Sequence, residues 1–296
     1  MKRNDLVVRL CLSVALALGA FSARAGGMSE VRKQAEASML LTGTVEVAPD
    51  GSLRGYRLDQ PEKIDSSVLD FVDRNIKSWS FEVGSLPPGV PAEATIRNSM
   101  SILVVAKPLD GDSYTLRLAA SHFRAENPLP GAEVAYKHRR VPVYPQAAVY
   151  AGVEGQVFLL VKIAPDGTVE DAMAEQVNLG VVARSETEME RWRRVLAASA
   201  LRSVRTWTFV VPAQGELAQK PYFLARVPVA YEFRNKKRAE YGDWTPYVPG
   251  PRHANQWEPQ DDNPGFSPDA LAANGGVYSG GGLRLKSPLQ AATHGG

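Results

Sequence analysis

The side chains suited to acid–base or metal chemistry are few. Four histidines, His122, His138, His253 and His294, are scattered without the spacing that gathers two imidazoles on one ion. Asp261-Asp262 reads as a surface acidic pair that would hold a cation only weakly. The single cysteine, Cys11, excludes a disulfide framework and a multi-cysteine zinc site. No G-x-S-x-G, H-E-x-x-H, phosphate loop or dinucleotide fingerprint occurs. The expectation is a protein that is not an enzyme, uses no cofactor or metal, and keeps its histidines solvated.

What remains is the chemistry of the backbone. From Tyr222 to Phe233 the residues Phe223, Ala225, Val227, Val229, Tyr231 and Phe233 alternate with Leu224, Arg226, Pro228, Ala230 and Glu232. That period of two predicts a strand with one buried face. Pro228 has no N–H to donate, which places it on a sheet edge or at a bulge.

Stepping along the chain, 296 residues suffice for about two domains. With 44% hydrophobic and 22% charged residues, neither a wholly disordered chain nor a polytopic membrane protein fits. The net charge of +2 arises near the start, where Lys2, Arg3, Arg9 and Arg24 face only Asp5. Without them 30 basic residues face 31 acidic ones, so no nucleic-acid partner is expected. Those first residues read as a signal peptide over 1–25: a basic start, an apolar run from Leu10 to Phe21, and Ala23-Arg24-Ala25 as the cleavage site. The apolar run is short of the roughly 20 residues that span a bilayer, so a mature chain starting at Gly26 in the periplasm is expected. The alternative is a retained anchor facing the periplasm from the inner membrane.

Two parts of the mature chain are alike. Ala48-Pro49-Asp50-Gly51 recurs as Ala164-Pro165-Asp166-Gly167, each after alternating apolar residues and each suited to a hairpin turn. Leu69, Val72, Ile76 and Trp79 are matched by Ala197, Ala200, Val204 and Trp207, with the same 3, 4, 3 spacing of a helix stripe. Trp79-Ser80-Phe81 and Trp207-Thr208-Phe209 then begin aromatic strands whose tryptophans are expected in the core. The second copy is longer around Arg184–Arg194, where Ser185-Glu186-Thr187-Glu188 is a capping box. Its helix should extend backward into solvent with Arg191, Arg193 and Arg194 exposed. After the first copy, Asp110-Gly111-Asp112 is expected to join an added hairpin.

The second copy opens on Pro142-Val143-Tyr144-Pro145, then Ala148, Glu154-Gly155-Gln156-Val157, the turn Pro165-Asp166-Gly167, and finally Trp207-x-Phe209. In this order the residues resemble the C-terminal domain of the TonB family, strongly over 136–233 and in degenerate form over 41–118. The resemblance implies an α+β fold of two tandem two-layer modules, each a small antiparallel sheet on one helix. It also implies that an extended segment of an outer-membrane TonB-dependent receptor, or of another envelope protein, adds to an edge strand. By that analogy the binding strand is Phe223, Leu224, Ala225, Arg226, Val227, Val229 and Tyr231. An edge supplies unpaired N–H and C=O groups to such a segment, while alternate side chains select among segments. The same edge could instead be covered by the first copy, the tail or a dimer partner.

The expected organisation is a signal peptide (1–25), an N-terminal segment (26–40), a degenerate module (41–120), a linker (121–135), a second module (136–235) and a Gly/Pro-rich disordered tail (236–296). The tail holds ten glycines and seven prolines without hydrophobic period, and Thr245–Pro251 could form a polyproline docking motif. The function expected is non-catalytic binding of an extended envelope-protein segment in TonB-dependent transport. The alternatives are a membrane-anchored energy transducer and a scaffold that contacts peptidoglycan or forms a homodimer. Against the transducer, the apolar run lacks histidine and residues 26–40 lack proline for a spacer.

Overall fold

The computed structural model describes residues 31–84, 91–109, 113–126, 128, 131–214, 216–236, 239–254, 257, 265–271, 276–279 and 283–294. The expected signal peptide, the Asp110–Asp112 turn and the Asp261-Asp262 pair lie outside them. Among the described residues no helix is long and apolar enough to cross a membrane.

In the first half, alternation makes β1 (Glu36–Val47), which begins within the expected N-terminal segment and buries Ala37, Met39, Leu41, Val45 and Val47. The Asp50 carboxylate accepts the Ser52 N–H at 2.9 Å, closing the turn into β2 (Leu53–Leu58). Helix α1 (Ser66–Ile76) starts where the Asp65 side chain accepts the Ser67 N–H, and it buries Val68, Phe71, Val72 and Ile76 on the sheet. After Trp79 come β3 (Phe81–Val83), β4 (Ile96–Pro108) and β5 (Tyr114–Ala125). Strands β4 and β5 pair as the expected added hairpin, and β5 continues through Ala125 into the segment expected as linker. Strand β1 lies between β2 and β4, and β5 lies outside β4.

The second half contains β6 (Ala135–His138), α2 (Gln146–Tyr150), β7 (Gly155–Ile163), β8 (Val169–Leu179), α3 (Glu186–Val204), β9 (Thr208–Val210) and β10 (Phe223–Tyr231). Its sheet runs β8-β7-β10, and α3 buries Met189, Trp192, Leu196, Ala200 and Val204 against it. The fold is therefore α+β with antiparallel sheets, as expected. The turn bonds of the first half recur: Asp166 accepts the Thr168 N–H at 2.9 Å. Phe81 donates its N–H to the Gly51 carbonyl and Phe209 to the Gly167 carbonyl, both at 2.8 Å. Trp79 and Trp207 are both buried in the cores, where the sequence puts them.

The cap of α3 is as expected, with Ser185 Oγ accepting the Glu188 N–H at 3.2 Å. The expectation that Arg193 is exposed is corrected: it is buried, donating to Glu186 Oε1 at 2.9 Å and to the Pro249 carbonyl at 3.2 Å. A chain segment lies over that face of the helix, so the arginine belongs to a contact rather than to solvent.

That segment is part of the tail, whose described stretches dock on both sheets. Strand β11 (Thr245–Tyr247) pairs with Glu36–Ser38 of β1, and Val248 exchanges both backbone bonds with Leu179 of β8. Thr245–Pro251 thus ties the two halves instead of presenting a free polyproline motif. Ser121 donates through N–H and Oγ to the Gly265 carbonyl, Ser101 Oγ to the Ala270 carbonyl, and Gln176 Nε2 to Asp269. Residues 265–270 therefore bridge the two sheets. Strand β12 (Tyr278–Ser279) pairs with β10, β13 (Leu283–Leu285) with β3, and β14 (Ala291–His294) with β5. Leu283 and Leu285 join the first core.

Candidate functional site

Pro142–Pro145 and Glu154-Gly155 converge on the Tyr231 end of β10, while the Pro165–Gly167 turn lies toward its Phe223 end. Pro142–Pro145 runs extended along α3, where Ser203 Oγ and Trp207 Nε1 each donate to the Arg140 carbonyl at 2.8 Å and Ser199 Oγ donates to the Val143 carbonyl at 2.5 Å. Tyr144 turns inward, donating its hydroxyl to the Val153 carbonyl at 2.7 Å and stacking on Phe233 with ring centroids 5.3 Å apart. Burial, with the nearby carboxylates of Glu154 and Glu232, pushes the Tyr144 phenol up to about 12, so it stays a donor.

Glu154 fastens the end of β10. One carboxylate oxygen accepts the Phe233 N–H at 2.9 Å and the other meets Lys236 Nζ at 2.6 Å. Gly155 opens β7 where a Cβ would lie 2.6 Å from the Asn178 carbonyl and 2.9 Å from Leu196, which accounts for glycine there. Pro165, Asp166 and Gly167 make the turn that receives Phe209. The motif residues therefore hold β10, the helix and the Pro142–Pro145 segment in fixed relation. Sequence reasoning named them without this division of labour.

Pro142–Pro145 also carries what that reading missed. Val141 and Val143 are each 77% exposed, and Tyr150 is 81% exposed on the following helix. Single exposed apolar residues are ordinary, but three within ten residues make this stretch an apolar patch along the chain. Because Tyr144 contacts both Tyr231 and Phe233, this patch stands next to the end of β10.

Strand β10 is laddered to β7 from Phe223 to Tyr231. On its outer side, among the described residues, it pairs at Ala225 and Arg226 with Ser279 and Tyr278. The face bearing Phe223, Ala225, Val227, Val229 and Tyr231 is in the second core. Arg226 faces the other way and is buried, its guanidinium on the Glu175 carboxylate at 2.8 Å and over the Phe266 ring at 4.7 Å. Glu175 also takes Arg252 at 2.8 Å.

Residues 140–177 match the family described as the Gram-negative bacterial TonB protein C-terminal. That segment is similar to TonB-family sequence. It contains Pro142, Tyr144, Pro145, Glu154, Gly155 and the Pro165–Gly167 turn, and it ends before α3, Trp207, Phe209 and β10. No curated protein matches the chain, and no solved structure does.

The histidine expectation needs one correction. His138 and His253 are exposed, as expected, but His122 is largely buried against the rings of Tyr278 and Phe266. Among the described residues, no group of His, Cys, Asp and Glu is arranged to hold a metal.

Proposed function

We propose that this is a non-catalytic periplasmic protein that binds an extended segment of an envelope protein by strand addition to the outer edge of β10. The observation that carries the reading is the asymmetry of that strand. Its inner side is laddered to β7 along its length, whereas its outer side, among the described residues, is paired only at Ala225 and Arg226. The segment similar to the TonB C-terminal relates the binding to energy-coupled transport across the envelope, with an outer-membrane TonB-dependent receptor as the partner class. The exposed Val141, Val143 and Tyr150 would extend the contact beyond the ladder.

In this reading the two halves are tandem copies, since turn, helix and aromatic strand recur with the same bonds. Strand β4 then corresponds to β10, and its outer edge is closed by β5 from Asn98 to Pro108. The first copy is the packing partner and the second the binding module. Residues 1–25 serve as a cleaved signal peptide, which an intact mass beginning at Gly26 would establish.

The test is calorimetric titration of the mature chain with TonB-box peptides and with the same peptides N-methylated at alternate backbone amides. Binding of the first set and loss of it in the second is the expected outcome. N-methylation removes ladder donors while keeping side chains, so equal binding by both sets rules out strand addition. If no peptide binds and the protein pellets with purified peptidoglycan, the scaffold reading replaces this one.

A further inference from the structure

The outer edge of β10 is already occupied by the chain itself. Tyr278 and Ser279 pair antiparallel with Arg226 and Ala225. Val277 is buried and belongs to the second core together with Val227 and Val229. The Tyr278 ring meets His122 of β5 edge-on, with centroids 5.0 Å apart. The Gly276 carbonyl lies 3.5 Å from the Tyr136 hydroxyl. Residues 276–279 thus do what an added strand does: they supply ladder partners to the edge and place successive side chains on opposite faces.

We infer that residues 276–279 are an internal occupant of the β10 edge, and that a partner segment binds by displacing them. The inference rests on the edge-strand reading above and adds to it both a competitor and a chemical class of partner. A segment that displaces the tail must replace its contacts. It is therefore extended, with a small aliphatic residue at the place of Val277 followed by an aromatic at the place of Tyr278, flanked by residues able to ladder further along β10 toward Tyr231. Among the described residues the tail pairs with Ala225 and Arg226 alone, so a segment that pairs along more of β10 gains bonds beyond those two. In the first half the edge of β4 is closed by a twelve-residue strand and is not available for such exchange.

The geometry also explains why the occupant is not lost. Residues before and after it are docked independently, Phe266 on Arg226 and Arg252, and Leu283 and Leu285 in the first core. The tail segment is therefore presented to the edge at high effective concentration, and displacing it leaves those anchors in place.

The experiment uses the mature full chain, its Tyr278→Ala variant and its Ser279→Pro variant. The probe is a fluorescently labelled synthetic peptide with the chain's own sequence from Asn274 to Gly281, measured by anisotropy. Hydrogen exchange at Arg226, whose N–H faces away from β7, reports the edge independently, and a melting curve confirms that each variant is folded. The expected result is probe binding at least about tenfold tighter to either folded variant than to the unaltered chain, with faster edge exchange in the variants when no probe is present. Equal probe affinity for all three proteins, with unchanged exchange, overturns the internal occupant but leaves strand addition standing. If edge exchange rises in the variants while neither this probe nor a TonB-box peptide binds any form, the edge-strand reading fails and the partner class fails with it. A variant that does not melt cooperatively is set aside for the other, since one substitution removes the ring and the other acts through the fixed backbone of proline.

Discussion

Glu175 and Arg226 meet across the width of a strand. The register of β7 with β8 shifts between Phe158 and Leu159, which pair with Gln176 and Ala174, so Glu175 is the additional residue of a bulge. A bulge re-aims the side chain it inserts. Here it directs a carboxylate that is 1% exposed onto the guanidinium of Arg226, with Nε at 2.8 Å and Nη2 at 3.3 Å.

The pair sets the first prediction. Glu175→Gln removes the carboxylate that meets the buried Arg226 guanidinium, and loss of one partner of a buried pair costs about 3–5 kcal/mol. Arg252, the other cation on Glu175, has a side chain 40% exposed, so Arg252→Gln should cost about 1 kcal/mol or less. Urea denaturation of both variants checks the order. Equal losses would mean that Glu175 is held by Arg252 rather than by Arg226.

A second prediction concerns pH. Burial, and then the positive charges of Arg124 and Arg226, hold the His122 imidazole down to about 4. An unfolded histidine titrates near 6.5. Between those values the unfolded chain takes up a proton that the folded one refuses. The contribution is complete above about pH 6.5, is lost progressively as pH falls, and levels off below about 4. The melting temperature should therefore fall over that window in the unaltered chain. In His122→Gln the same window should be flatter, and an unchanged slope would assign the pH dependence to carboxylates.

How much of this was legible follows the length scale of the signal. The P-D-G turns, the two helix stripes and the W-x-F strands were readable because each follows from local chemistry or a period spanning several turns or pleats. Arg193 was misread as exposed because nothing near it in sequence encodes Pro249 lying over it. His122 was misread as solvated for the same reason, its covering rings coming from Phe266 and Tyr278. The docked stretches of the tail are two to four residues long, as in Tyr278–Ser279 and Leu283–Leu285, too short for a period of two to register among glycines and prolines. The strand Phe223–Tyr231 was legible, whereas the sequence left open whether the first copy, the tail or a dimer partner covers it.

The turn glycines allow a third prediction with an internal control. Gly152 and Gly167 both have positive φ, 68° and 85°. Around Gly152 a Cβ would meet nothing within 4 Å, whereas at Gly167 it would lie 2.1 Å from the Phe209 carbonyl. Gly152→Ala should cost about 1–2 kcal/mol, the strain of the left-handed backbone. Gly167→Ala should cost clearly more, because the bond from Phe209 N–H to the Gly167 carbonyl must give way. Denaturant midpoints at constant slope measure the difference, and equal midpoints would show that the turn and β9 can separate at little cost.

The exposed valines give the last prediction. Val141 and Val143 stand on a segment whose carbonyls are held by Ser199, Ser203 and Trp207, so their backbone positions do not depend on their own side chains. Val141→Gln and Val143→Gln should therefore leave stability within about 0.5 kcal/mol, as for exposed positions generally. If the patch beside Tyr144 and Phe233 belongs to the binding surface, the double variant should weaken a TonB-box peptide at least about fivefold, through loss of apolar area covered by the bound segment. The contrast between unchanged melting and weakened binding is what distinguishes a contact surface from packing. Unchanged binding would confine the partner to the β10 ladder.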